Sequence, residues 1–172
     1  MVNYNSVLDI QFNDEEITEP VTLTEAKDFC KIDISTDDSL ITSLITAARQ
    51  MCESYTGVGF VSHYAIAIIN NSNGDMYIPY GPTGEITSIT NENGVELVAD
   101  ATYFLSGNDF KRILRPKENN LTIEYVTGYE VLPNVLKTAL LNAIYYLYDN
   151  RSQSTEDIGP IAKLLLNPFR RV

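Results

Sequence analysis

The stretch that decides the fold is residues 35–57, which read STDDSLITSLITAARQMCESYTG. Its apolar side chains recur every three or four positions, the spacing that places them on one face of a helix; they are Ile41, Leu44, Ile45, Ala48, Met51, Cys52 and Tyr55. Asp37 and Asp38 suit the positive start of such a helix, and Gly57 and Gly59 end it. At a rise of about 1.5 Å per residue, the predicted helix is roughly 30 Å long.

A shorter helix and a polar segment precede this helix. The sequence from about Thr24 to Cys30 predicts a helix, with Thr22 or Thr24 as its N-cap and Glu25 near its positive end. Residues 1–20 are polar and acidic, and we interpret them as an N-terminal arm or an edge strand.

The chain changes character between Phe60 and Val126, where Ile, Val, Thr and Tyr alternate with turn-forming residues. Short strands are predicted there at residues 64–69, 76–78, 86–90, 103–105 and 121–126. Asn93-Gly94 is a hairpin signal, because both residue types tolerate the positive φ of a tight turn. We therefore predict a small antiparallel β subdomain.

The last third is predicted to be helical again. Pro133 suits the first position of a helix, and the apolar stripe behind it comprises Leu136, Ala139, Leu140, Ala143, Ile144, Leu147 and Tyr148. A polar linker at residues 152–157 follows, then a short apolar helix at 161–166 after Gly159-Pro160, and a basic tail.

These elements predict an α+β fold that is mainly an α-helical bundle with an inserted small antiparallel β subdomain. The predicted parts of this one domain are an arm at 1–20, N-terminal helices at 21–59, the β insert at 60–127, and C-terminal helices with the tail at 128–172.

The two ends of the chain differ in net charge. The 172 residues carry a net charge of −11, with −8 in residues 1–60 and +2 in residues 131–172. This balance argues against a protein that grips nucleic acid, because neutralising phosphates requires a positive surface. Cys30 and Cys52 are predicted to be buried thiols in a reducing compartment. With no signal peptide and no apolar run of membrane-spanning length, we expect a soluble intracellular protein.

Catalytic patterns are not found in this sequence. His63 has no ligand spacing around it, the loop Gly81-Pro82-Thr83-Gly84 lacks the lysine of a phosphate cradle, and pairs such as Asp37-Asp38 suit a helix start better than a metal. We predict no enzyme activity, no catalytic or metal-binding residue and no cofactor.

Two groups of residues are candidates for contacts. Tyr145, Tyr146 and Tyr148 fall on different faces of one helix, so at least one ring is expected to point outward, and with Arg151 they are candidate subunit-interface residues. The alternative is that all three rings are buried or half-buried. The basic residues Arg112, Arg115 and Lys117 form either a solvated face or a contact to a partner's acids or to phosphate.

Two segments resemble the head–tail connector (adaptor) proteins of long-tailed bacteriophages and prophages. The first, residues 21–57, carries TLTEAK, ID, DDSLI, LITAAR and ESYTG; the second, residues 125–151, carries YVTGY, a helix-starting proline, LKTA and LYDNR. The family-motif positions are Glu25, Lys27, Asp38, Arg49, Tyr55, Gly57, Gly128, Pro133 and Lys137. The chain departs from the pattern at Cys30-Lys31, where a Leu-Arg pair is usual, and in its long β insert.

The resemblance implies a structural protein of the virion neck that is assembled in the host cytoplasm, and it implies no membrane contact. Its expected partners are itself, in a ring of about twelve copies, the portal, and a tail or stopper protein. DNA passes through the ring without sequence-specific binding. The C-terminal residues that look like the family's terminal motif are candidate portal-docking residues: Ile161, Leu164, Leu165, Phe169, Arg170 and Arg171. The alternatives are another neck or tail-completion protein and, less favoured, a carboxylate-dependent hydrolase.

Overall fold

The computed structural model describes residues 7–13, 17–70, 75–114, 120–151 and 157–171. Within these ranges the elements in chain order are β1 (Val7–Asn13), α1 (Leu23–Cys30), α2 (Asp38–Thr56), β2 (His63–Asn70), β3 (Met76–Tyr77), β4 (Thr83–Asn91), β5 (Phe104–Ser106), β6 (Arg112–Leu114), β7 (Asn120–Thr127), α3 (Asn134–Asp149) and α4 (Pro160–Leu166). A short 3-10 turn, Asn167–Phe169, follows α4.

The prediction of a mainly helical bundle is wrong. Of the described residues, 36% are helical and 29% lie in strands, and the strands form two antiparallel sheets. The polar N-terminal segment forms the edge strand β1, the second of the two interpretations given for it, so the β unit is larger than the predicted insert. Strand β6 was not predicted, because it lies in a basic stretch that lacks clear strand alternation.

The chain folds into two compact units. The β unit comprises residues 57–130 together with β1, and the helical unit comprises residues 18–56 and 131–171. The basic residues Arg115 and Lys117, and residues 152–156 of the predicted linker, lie outside the described residues.

The β unit is built around strands β2 and β7, which pair over eight residues. The larger sheet has the order β1-β2-β7-β4, and the smaller has the order β3-β6-β5. Alternate side chains of β2 and β7 are buried, as expected for strands with one face against a core. The buried side chains of both sheets form one apolar cluster that includes Ile69, Ile89, Ile113 and Ile123.

The predicted hairpin is confirmed. Gly94 has a φ of +74°, and the chain returns alongside β4 through hydrogen bonds from the Asn91 amide to the Val95 carbonyl (3.0 Å) and from the Leu97 amide to the Ile89 carbonyl (2.7 Å). Gly128, which follows β7, has a φ of +87°, and a Cβ there would overlap the carbonyl oxygen of Val61. Only glycine fits this close approach between two backbone segments.

The helical unit follows the predicted helices closely. Thr22 caps α1 in a capping box, with the Glu25 amide donating to the Thr22 hydroxyl (3.2 Å) and the Thr22 amide donating to the Glu25 carboxylate (2.9 Å). Pro133 lies at the N-cap of α3, one position before the predicted one, whereas Pro160 is the first residue of α4. In the described part of the chain, no helix is both long and apolar enough to cross a membrane.

Candidate assembly surface

Four of the family-motif residues form two internal ion pairs in the helical unit. The Lys27 ammonium lies 2.6 Å from the Asp38 carboxylate, and the Lys137 ammonium lies 2.6 Å from the Glu25 carboxylate. The hydrogen bond from Lys137, together with the Thr22 amide, lowers the pKa of Glu25 below its usual value. These contacts tie α1 to α2 and to α3, so they support the unit and leave its docking residues to be sought elsewhere.

Arg49 is the most buried charged residue in the helical unit. Its side chain is 6% exposed, its Nε donates to Glu19 (2.9 Å) and its Nη1 donates to Glu53 (2.8 Å). The Thr46 hydroxyl donates to the second carboxylate oxygen of Glu19 (2.8 Å). Burying this guanidinium is tolerated because two carboxylates face it. Arg49 therefore anchors the segment before α1 to α2.

The four candidate subunit-interface residues divide into two pairs. The Tyr148 hydroxyl donates to the Asp37 carboxylate (2.6 Å), which raises the pKa of Tyr148, and Tyr146 packs against Gly159 at the start of α4. Both rings therefore have partners inside their own unit. Tyr145 is 47% exposed, and Arg151 is exposed with its guanidinium over the Tyr148 ring. Only Tyr145 and Arg151 remain available to another molecule.

Helix α4 buries apolar side chains on one face and exposes apolar side chains on another. Ala162 and Leu166 are buried, whereas Ile161 is 57% exposed and Leu164 is 70% exposed. At about 100° per residue, these two exposed side chains share one face of the helix. Pro160, Ile161 and Leu164 are here called the α4 ridge. Leu165, the other α4 candidate, is half-buried.

Hollows flank the α4 ridge on both sides. A groove of about 140 Å³ lies between α3 and α4 and is lined by Tyr145, Tyr146, Ile158 and Ile161, among others. A wider cleft of about 480 Å³ lies between α2 and α4 and is lined by Ala47, Gln50, Met51, Ser54, Tyr55, Ile158 and Lys163. The candidates Tyr145 and Ile161, which the sequence assigned to different partners, thus line the same groove.

The C-terminal segment is bound to the end of α2. The Tyr55 hydroxyl donates to the Asn167 side-chain oxygen (2.7 Å), and the Arg171 amide donates to the Thr56 carbonyl (2.6 Å). Arg170 stacks on the Tyr55 ring, and Phe169 is half-buried. The end of the first resembling segment therefore meets residues 167–171, a contact across more than a hundred residues that no local pattern in the sequence could reveal.

Among the residues that the structure describes, no group of three or more His, Cys, Asp or Glu side chains is placed so that it could hold a metal ion. Cys52 is buried as predicted, whereas Cys30 is only half-buried. Burial, with a smaller contribution from Glu53, raises the pKa of Cys52 to about 12. His63 packs edge-on against Phe12 at 4.8 Å between ring centres. The Thr83 amide donates to the Asp109 carbonyl (2.6 Å), so it does not face an open phosphate cradle.

The fold is shared with chains of gene transfer agent particles. A chain from the neck of an empty particle, computed with C6 symmetry, superposes with a TM-score of 0.73 at 17% identity, covering 96% of both chains. A chain from the virion of a native particle gives 0.72 at 17% identity with the same coverage. A chain from the neck of a native particle, computed with C12 symmetry, gives 0.59 at 16% identity over 92% of this chain and 96% of that one. At these identities the likeness establishes the fold.

The class of protein follows from the sequence family together with this fold: a structural protein of the head–tail neck of a virion. The chain belongs to the head completion protein family, whose model matches residues 19–159. No curated protein matches the chain by sequence. The resemblance to head–tail connector proteins is thereby confirmed.

Proposed function

We propose that the chain forms a closed ring beneath the portal, extends the DNA conduit and presents a docking surface to the tail or to a stopper protein. Family membership supports the neck position. The similar neck chains come from particles computed with C6 and C12 symmetry, which fits a ring of about twelve copies. A ring built by cyclic symmetry needs two different complementary surfaces on each copy.

The observation that carries this proposal is the exposed apolar α4 ridge. Ile161 and Leu164 are exposed, and Tyr145 lines the same groove as Ile161. Covering these exposed aliphatic side chains favours association, because it removes apolar surface from water. Adjacent apolar residues of this kind are typical of a protein interface. We therefore assign Ile161, Leu164 and Tyr145 to contacts between copies, with Arg151 at the margin.

The portal contact is assigned to the chain's basic end. Arg170 and Arg171 are exposed and lie next to the half-buried Leu165 and Phe169. Arginine is favoured at interfaces because its planar guanidinium both stacks and pairs with carboxylates. The contact of these residues with Tyr55 and Thr56 holds the basic end in a fixed position from which it can meet a partner.

The proposed role is non-enzymatic, and DNA passes through without sequence-specific binding. The net charge of −11 suits a conduit, because an acidic wall repels the duplex and reduces sticking. Another neck or tail-completion protein is the second candidate, since it would share family and fold but would assemble on the tail side.

Native mass spectrometry of the chain, alone and mixed with its portal, tests the proposal. We expect a closed oligomer of about twelve copies, either alone or on the portal. The variant I161D/L164D is expected to remain monomeric, while V95D/V98D, which places two acids at exposed valines of the β unit, assembles normally. A wild-type chain that ignores the portal and stays monomeric would contradict the proposal, as would normal assembly of I161D/L164D.

The portal contact is tested by reversing charge at the chain's end. R171E, which leaves Arg170 on the Tyr55 ring, is expected to weaken binding to the portal, whereas R171K, which keeps the charge, retains most of it. Equal binding by the wild type and the reversed variant would remove the C-terminal end from the portal contact and leave the ring proposal standing.

A further inference from the structure

A second exposed apolar surface lies where α1 turns into α2. Phe29 is 41% exposed, Ile34 is 58% exposed and Leu40 is 37% exposed, all within one short stretch of chain. Asp28 and Asp33 lie beside them, both exposed, and neither side chain forms an ion pair with another described residue. Residues 28–38 carry a net charge of −3. We call Asp28, Phe29, Asp33, Ile34 and Leu40 the acidic corner.

The cleft between α2 and α4 combines apolar surface with charge of the opposite sign to that of the acidic corner. Lys163 is the only charged residue among the described residues that line it, and its ammonium also bonds to Asp157 at 2.9 Å. Gln50 and Ser54 offer neutral donors, Met51 and Ala47 offer apolar surface, and Arg170 adds positive charge over the Tyr55 ring. Residues 157–171 carry a net charge of +2.

Size also fits the two surfaces to each other. The cleft of about 480 Å³ lies within the range of sites that enclose a small organic molecule. It therefore has room for an aromatic side chain such as Phe29 together with an aliphatic neighbour. Leu164, which follows the cleft residue Lys163 on α4, is 70% exposed and offers apolar surface on the adjoining α4 ridge.

We propose that the acidic corner of one copy docks into the α2–α4 cleft and onto the α4 ridge of the next copy. This inference rests on the proposed ring and names the two surfaces that build it. Phe29 and Ile34 cover Leu164 and Met51, while Asp28 and Asp33 face the positive side of the cleft. The partner is thus a second copy of this chain.

The proposed contact is head-to-tail, which is the kind of contact that a cyclic ring requires. The corner lies at α1 and the first turn of α2, whereas the cleft lies between the second half of α2 and α4, so each copy can use one surface toward each neighbour. Such a head-to-tail contact propagates and forms a ring when the rotation between copies closes. An isologous dimer would instead use the same patch on both partners.

A charge exchange between the two surfaces tests the pairing. The variant Q50E/S54E adds two acids to the exposed rim of the cleft without breaking any ion pair described above, and D28K/D33K reverses the corner. Each variant alone is expected to raise the concentration for half-assembly by at least about tenfold, because like charges then face each other. Assembly is measured under the conditions in which the wild type forms its ring, with or without the portal.

Mixing the two variants gives the decisive measurement. The lysine corner of D28K/D33K complements the acidic cleft of Q50E/S54E, and the other two surfaces are unchanged, so an equimolar mixture is expected to form rings of alternating copies. Thermal unfolding of each purified variant checks that it is folded. The single substitutions S54E and D33K provide a second complementary pair with a smaller change in charge. T87E/N93D, which adds two acids at the β4 strand and its turn, is the matched control and is expected to assemble normally.

The outcomes separate this inference from the ring itself. If the wild type forms a ring and the mixture of folded variants does not, the pairing is wrong and the ring remains. If either charge variant assembles like the wild type, the pairing is equally wrong. If the wild type forms only a dimer or a monomer, with and without the portal, the proposed function fails first.

Discussion

The guanidinium carbon of Arg170 lies 4.8 Å from the centre of the Tyr55 ring, so the last described residues are stacked on the final turn of α2. The same tyrosine donates its hydroxyl to Asn167, and the next residue, Thr56, accepts a hydrogen bond from the Arg171 amide. Three contacts thus hold the C-terminal segment, two of them through the side chain of Tyr55.

Replacing Tyr55 is therefore expected to loosen the C-terminal segment. Y55F loses one hydrogen bond that lies at an exposed site and is expected to lower the free energy of unfolding by about 1 kcal/mol or less. Y55A also removes the cation–π contact and should accelerate hydrogen exchange of the Arg171 amide by about tenfold. Hydrogen exchange resolved by residue checks this. Unchanged exchange at Arg171 in Y55A would show that the segment is held independently of the ring.

Arg49 supplies a prediction about stability. R49M leaves the carboxylates of Glu19 and Glu53 in a poorly solvated place without the guanidinium between them, so it is expected to cost about 3–5 kcal/mol of folding free energy. Urea denaturation measures the change. The triple variant E19Q/R49M/E53Q removes both charges and is expected to recover part of the loss. A triple variant no more stable than R49M would assign the cost to packing and not to charge.

Gly159 constrains the junction between α3 and α4. Its φ is +84°, and a Cβ there would lie 2.6 Å from Cγ of Tyr146. G159A is expected to destabilise the chain by about 1–3 kcal/mol, because both the backbone conformation and the contact with the ring oppose the methyl group. A double-mutant cycle with Y146A, followed by urea denaturation, separates the two causes. A coupling energy near zero would leave the backbone conformation as the whole cause.

The helices were predictable because their signals are local. The stripe Ile41, Ile45, Ala48 and Cys52 is buried as its spacing indicates, and the Thr22 cap follows from a threonine three residues before a glutamate. The sheet content was less predictable, since β1 gains its conformation from pairing with β2 more than fifty residues later. The contact of Tyr55 with Asn167 and the packing of Tyr146 on Gly159 depend on tertiary structure in the same way.

The ion pair between Lys137 and Glu25 predicts how stability changes with pH. The hydrogen bond from Lys137 holds the pKa of Glu25 below its usual value. The stability that this carboxylate contributes is therefore fully present above the pKa of an unfolded glutamate, about 4.3, and is lost as the pH falls through the lower folded-state pKa.

E25Q keeps the side chain's shape but removes its charge, so it is expected to unfold at a lower temperature than the wild type at pH 7. Because Glu25 is 43% exposed, solvent screening makes this difference small. The difference is expected to shrink as both proteins are scanned from pH 6 to pH 3. A difference in melting temperature that stays constant from pH 6 to pH 3 would show that the loss of the carboxylate's charge is not the cause of the destabilisation in E25Q.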